Sequence, residues 1–169
     1  MSDPSITAQH RERRVNPATA IVPIALAVLL AAGCAGNVRE VVGKPPQAGI
    51  DGMALAGTHV VLELALRNVN DASLELTAIA VELQLDGQPL AEGRQGIPLV
   101  IAARGREVVS MRLGAEPAGL DRLSALSAGD HDSLRWSMKL TLEQRGRREQ
   151  QSEATGWLHR VPGQDDRFR

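Results

Sequence analysis

The chain has 169 residues, a formal net charge of −1 and 43% hydrophobic residues, which suits one domain plus extras. Neither sign of charge dominates, and Trp136, Trp157 and Phe168 are the only aromatic residues, so a nucleic-acid footprint and base-stacking platforms are both unexpected. The single cysteine, Cys34, excludes an internal disulfide, so an exported body would have to stand on its core alone.

Met1 to Asn16 is polar and carries Arg11, Arg13 and Arg14, whereas Ala18 to Ala32 is apolar apart from Thr19 and Pro23. A basic start, a short apolar run and a small-residue exit make a secretory signal. The run falls short of the ~20 residues that a spanning helix needs. Leu30-Ala31-Ala32-Gly33-Cys34 resembles the bacterial lipobox, with Ala31 where Leu is usual. That resemblance implies a signal peptide over 1–33, cleavage between Gly33 and Cys34, and acylation of both the Cys34 thiol and the new amino terminus. With each buried methylene contributing ~0.8 kcal/mol, two or more acyl chains hold firmly where one is marginal. Ala35 is not the Asp that retains such proteins in the inner membrane, so the resemblance implies the periplasmic leaflet of the outer membrane. Two other readings stay open: an uncleaved anchor helix with a bystander cysteine, and a twin-arginine signal at Arg13-Arg14. Val15-Asn16-Pro17 does not follow the usual form of the latter.

Residues 34–56 read as the lipidated cysteine and a tether, stiff at Pro45-Pro46, with a short strand around Ile50 to Leu55. A body over 57–162 follows. Leu62, Leu64 and Leu66 alternate with Glu63, Ala65 and Arg67, the period of a strand with one wet face. Asn68-Val69-Asn70-Asp71 interrupts with side chains that bond back to their own backbone and favour turns. Leu74 and Leu76 resume the alternation, and Ile79, Val81, Leu83 and Leu85 continue it one residue out of phase. The slip predicts a bulge or break near Thr77-Ala78, because without one every later side chain would change faces. Asp86-Gly87 predicts a tight hairpin.

Gln88 to Arg94 is the expected return strand, with Pro89 placing it at an edge or a strand start. Ile97, Leu99 and Ile101 alternate next, around Pro98. Ala103 to Arg106 reads as a turn, and Val109, Met111 and Leu113 as a further strand. Leu120, Leu123 and Leu126 have helical spacing, predicting a short helical turn at Gly119 to Ser127. Leu134, Trp136, Met138, Leu140 and Leu142 predict the clearest late strand. Arg145-Gly146-Arg147-Arg148 reads as a polar turn, and Gln150 to Val161 as the partner strand. The last stretch, 163–169, is charged and reads as a disordered tail. Short strands with Gly, Pro and Asp punctuation predict an all-β antiparallel sandwich, preceded by the signal-peptide helix.

The run from Leu62 to Leu113 is similar to the type-2 late embryogenesis abundant proteins, whose core is also called the water-stress and hypersensitive-response domain. The family pattern has an Asn-Pro-Asn corner, matched here by Asn68-Val69-Asn70, with Val69 in place of the proline that pre-sets φ. Asp86-Gly87 matches its hairpin, Ala91-Glu92-Gly93 its small-residue strand, and Ile97-Pro98 its proline step. Leu134 to Leu142 and Gly156-Trp157-Leu158 match its closing hairpin, without the usual apolar-aromatic step before the glycine. The resemblance covers roughly Pro45 to Pro162. It implies an immunoglobulin-like or fibronectin III-like sandwich, a link to desiccation and stress tolerance, and no catalytic residues; many bacterial members look like lipoproteins.

Other constellations are weaker. Asp130-His131-Asp132-Ser133 holds a base and partners, but adjacency in sequence does not make a triad, and no Gly-x-Ser-x-Gly elbow occurs. It reads as a polar loop. His59, His131 and His159 lack metal-ligand spacing and read as surface or strand-edge residues. Arg145, Arg147 and Arg148 are of a type that binds lipid phosphates, although most such clusters are simply solvated hairpin turns. Asn68 and Asn70 read as turn-formers. The expectation is a protein without catalytic residues, cofactor or metal. It would be held to a membrane through Cys34 and serve protection or binding in the envelope. The alternatives are an adaptor using a sheet edge to hold another envelope protein, and an enzyme built on Asp130 to Ser133.

Overall fold

The computed structural model describes residues 40–169. The expected signal peptide over 1–33, its cleavage site at Gly33 and Cys34, and the acylated Cys34 lie outside the described residues. The strands are β1 (Gln47–Ala56), β2 (His59–Arg67), β3 (Leu74–Leu85), β4 (Gln88–Ile101), β5 (Arg106–Gly114), β6 (Leu134–Gln144), β7 (Gln150–Leu158), β8 (Arg160–Val161) and β9 (Gln164–Phe168). One helix, α1 (Pro117–Ala128), joins β5 to β6. A five-stranded sheet has the order β5-β2-β1-β9-β8 and a four-stranded sheet the order β4-β3-β6-β7. Every pairing is antiparallel. The architecture is the expected β-sandwich.

The core follows from the alternation. Leu62, Leu64 and Leu66 of β2, Met111 of β5, and Leu134 to Leu142 at every second position of β6 are buried, while Glu63, Arg135 and Lys139 between them are exposed. The phase slip in β3 sits where the sequence puts it. Leu76 and Ala78 are consecutive register positions against both neighbours, so Thr77 is an extra residue opposite β6. On the other side β4 runs from Leu99 to Gly96 over the same interval, which leaves Ile97 and Pro98 out of register. A proline has no N–H to give the ladder, and here it sits at a break in an edge strand, where none is needed. Leu74 and Leu76 before the bulge and Ile79 to Leu85 after it therefore all point into one core. Gln88 to Ile101 forms one continuous edge strand rather than two segments.

Asp86 and Gly87 both have positive φ, 47° and 79°, which gives the turn a twist matching its strands. The tip is also tied sideways: Asp86 N–H donates to Arg135 C=O at 2.8 Å, and Arg135 N–H donates to Asp86 Oδ1 at 3.0 Å. Helix α1 starts on Pro117, where a missing N–H costs nothing. It ends at Gly129 with φ 88°, whose N–H reaches Leu126 C=O while Asp130 N–H reaches Ala125 C=O. Leu123 and Leu126 are fully buried, and Gly119 lies so close to Leu90 that an added Cβ would come within 2.4 Å of Leu90 Cα.

Two expectations are corrected. The tail is not disordered: β9 pairs with β1 and β8, Phe168 is 1% exposed, and His159 and Arg169 exchange backbone hydrogen bonds. A polar run with one aromatic carries no periodic signal, so only its docking reveals the strand. The tether also ends earlier than residue 56. Strand β1 runs the full length of β2 in the middle of its sheet, with Asp51 as an extra residue between Ile50 and Gly52. The body therefore spans about 47–168 rather than 57–162.

Candidate functional site

The end of the sandwich where β2 turns into β3, here the corner end, holds the densest polar construction. Asn68 is fully buried at its centre. Its Nδ2 donates to Ala72 C=O at 2.8 Å and Ala102 C=O at 3.0 Å, with Ile101 C=O at 3.3 Å sharing. Its Oδ1 accepts from Asn70 N–H at 3.0 Å and Asn70 Nδ2 at 2.9 Å. Asn68 therefore closes the β2–β3 corner onto the β4–β5 turn. Side-chain bonding takes over what a fixed proline φ would otherwise supply at position 69.

Asn70 extends this knot to the incoming chain. Lys44 N–H donates to Asn70 Oδ1 at 2.9 Å, and Asn70 Nδ2 donates to Lys44 C=O at 2.8 Å. Val41 N–H donates to Asp71 Oδ2 at 2.7 Å, Asp71 N–H returns a bond to Val41 C=O, and Gln150 Nε2 donates to Gly43 C=O at 3.3 Å. Residues 41–44 are thus gripped by the β2–β3 corner and by the start of β7. Arg104, at φ 58°, donates from its Nε to Asp71 Oδ1 at 2.7 Å. That guanidinium, and next the Val41 N–H, hold the Asp71 carboxyl below its usual range, and the Arg104 pKa is raised in turn. On the outer face of the four-stranded sheet, Arg94 forks onto both Glu143 oxygens at 2.7 and 2.8 Å, which lowers the Glu143 pKa.

No buried side-chain nitrogen or oxygen among the described residues lacks a hydrogen-bond partner. The knot is saturated and offers no waiting donor set to a ligand. What remains open at this end is the β6–β7 turn, with Arg145, Arg147 and Arg148 exposed, and an apolar notch of about 340 Å³ beside the β3 bulge. Glu75, Thr77, Ile97, Pro98, Val100 and Arg145 are among the residues that line the notch. Its one hydroxyl, that of Thr77, donates to Glu143 C=O at 3.3 Å, and its one cation, Arg145, is matched by the carboxylate of Glu75.

Asp130, His131 and Asp132 are exposed in the loop before β6, at the opposite, hairpin end. His59, His131 and His159 are not gathered: among the described residues no group of three or more His, Cys, Asp or Glu side chains is placed to hold a metal ion. The saturated knot could not have been found from sequence beyond its two asparagines, since Lys44, Ile101 and Ala102 reach it from distant segments.

Comparison with known proteins gives a family and a fold. A search of the curated proteins finds no match. Among solved structures, the solution structure of AT1g01470 from Arabidopsis thaliana superimposes with a TM-score of 0.53 at 13% identity, over 79% of this chain and 93% of that one. Lower likeness is found to At2g46140.1, described as a late embryogenesis abundant (LEA) protein (TM-score 0.44, 12% identity, 94% and 97% covered). A protein from Archaeoglobus fulgidus gives a TM-score of 0.41 at 11% identity, over 70% and 98% of the two chains. At such identities these speak for the sandwich fold alone, and only the first is close enough to do so. The family model for late embryogenesis abundant protein, LEA_2, matches residues 63–149, just over half the chain. That span runs from β2 to the β6–β7 turn and includes the corner, the bulge and the hairpin, and on it the chain belongs to the LEA_2 family of late embryogenesis abundant proteins.

Proposed function

We propose that the protein is a non-enzymatic, lipid-anchored member of this family in a bacterial envelope, held through Cys34 on the periplasmic side of the outer membrane. There it protects or binds envelope components under water or osmotic stress. The observation that carries the reading is the grip on residues 41–44. Val41 and Lys44, bonded to Asp71 and Asn70, fix the point at which the chain enters the folded body. That suits a body meant to sit at a surface, and the saturated polar interior suits a part without chemistry to perform. Mass spectrometry of the mature protein tests the anchor: a chain starting at Cys34 with acyl groups is expected, and an intact Met1 terminus in the cell refutes it. A deletion strain tested under drying, salt and detergent tests the role. A purified activity abolished by His131→Ala would overturn the non-enzymatic part.

A second reading, an adaptor for another envelope protein, is favoured by one observation. β7 is a sheet edge with no proline between Gln150 and Leu158, unlike the edge strand β4 with Pro89 and Pro98. One stoichiometric partner in a crosslinking pull-down supports the adaptor, and a diffuse set supports protection.

A further inference from the structure

The grip on residues 41–44 is made without reading their side chains. Its five hydrogen bonds all end on backbone atoms of the segment: the N–H and C=O of Val41, the C=O of Gly43, and the N–H and C=O of Lys44. The side chains of Val42 and Lys44 are exposed, Val42 at 60%. One residue of the segment is fixed by conformation: Gly43 sits at φ 71°, in the left-handed region that is costly for a residue with a Cβ. The body's side of the contact is made by Asn70, Asp71 and Gln150, and each of these is aimed by a second partner outside the segment. Asn68 Oδ1 accepts from both the Asn70 N–H and Nδ2, Arg104 Nε holds Asp71 Oδ1 at 2.7 Å, and Gln144 Nε2 donates to Gln150 Oε1 at 2.8 Å. The side chain of Asn68 takes no bond from residues 41–44, its partners being Asn70, Ala72, Ile101 and Ala102.

Groups already aimed before a segment arrives lose little freedom in binding it, whichever chain supplies the segment. We propose that the β2–β3 corner is a peptide-binding site, filled here by residues 41–44 as an internal ligand, and that on their release it takes an unstructured, glycine-containing segment of another protein. Its ligand is defined position by position. A free N–H is needed at the first and fourth residues, which excludes proline there, and a glycine at the third takes the left-handed kink. Carbonyls at the first, third and fourth residues complete the set, and the second and fourth side chains go unread. Release leaves Asn70 Oδ1, Asp71 Oδ2 and Gln150 Nε2 without their partners and the buried Asn68 bonds in place. With only Pro45 and Pro46 between the segment and β1, the internal ligand competes at an effective concentration of about millimolar, which closes the site to weak ligands. The site rests on neither the anchor nor the β7 edge, and it would give an adaptor a second place to hold its partner.

The test opens the site and offers it a peptide. Val41→Pro together with Lys44→Pro, in the full chain, removes two N–H donors of the segment and leaves Asn70, Asp71 and Gln150 unaltered. The probe is an acetylated peptide with the sequence of residues 40–47, titrated to about 1 mM and followed by NMR at the Asn70 and Gln150 side-chain amides. Shifts at those amides are expected in the double variant, with binding to the unaltered chain about tenfold weaker because the internal ligand competes. Alanine at the Val42 and Lys44 positions of the peptide should change nothing, whereas proline at the Val41 position or alanine at the Gly43 position should abolish the shifts. No shift in the double variant at about 1 mM, or binding lost with the two alanines, overturns the proposal. Hydrogen exchange of the unaltered chain is the second measurement. Release of the segment with the corner still closed requires the Val41 and Lys44 amides to exchange about tenfold faster than the Asn70 amide, which is bonded to buried Asn68. Equal rates, or a double variant that fails to fold, would show residues 41–44 to be an inseparable part of the body and refute the internal ligand.

Discussion

Asn68→Ala should be among the most damaging single changes available in this domain. The side chain is fully buried, and three of its five hydrogen bonds, to Ile101 C=O, Asn70 N–H and Asn70 Nδ2, lie where water does not reach. The bonds to Ala72 and Ala102 C=O are half-buried, and solvent can partly replace them. A buried polar group left without a partner costs about 1–3 kcal/mol. Three such groups, with some relief from relaxation, give about 3–5 kcal/mol. At a urea slope of ~2 kcal/mol/M, the unfolding midpoint should fall by about 2 M with the slope unchanged. Asn68→Asp sharpens the assay. A carboxylate there faces three carbonyls that expect donors, so its folded pKa should rise above the unfolded value. Stability would then be fullest below about pH 4 and decline as the pH rises through the raised pKa. A stability loss below ~0.5 kcal/mol for Asn68→Ala, or an Asn68→Asp variant indifferent to pH, would refute the view that the knot holds the corner.

The other predictions test single packing or charge claims. Phe168→Ala should cost about 3–5 kcal/mol in the same urea titration, because its ring is buried in the core; a disordered tail would give no change. Gly119→Ala should destabilise by about 1–3 kcal/mol, although alanine is the better helix former by ~1 kcal/mol. The new Cβ meets Leu90 Cα and Pro89 C=O, which are backbone and cannot rotate away; a more stable variant would show that the helix shifts freely. Asp71, with its pKa held down by Arg104 and the Val41 N–H, contributes stability that is present above the unfolded carboxyl value and lost as the pH falls through the lower folded value. Arg104→Ala should move the Asp71 carboxyl titration, followed by NMR, back toward its usual range; an unmoved titration would show that the ion pair is not made in solution.

Much of this fold is written locally. Alternation at Leu62 to Leu66 and at Leu134 to Leu142, the out-of-phase restart at Ile79, and Asp86-Gly87 each state a local geometry, because side-chain direction reverses at every strand residue and a two-residue turn needs positive φ. The bulge at Thr77 was legible for the same reason. The helix was legible from three leucines, though its Gly119 contact was not. Other features depend on distant partners. Nothing in Gln47 to Ala56 requires a central strand until β2 lies beside it, and nothing in Gln164 to Phe168 requires order until β1 and β8 do. Asn68 and Asn70 announced a turn. Only tertiary structure could make them a buried clamp, since their partners at Lys44, Ile101 and Ala102 lie 26 to 34 residues away.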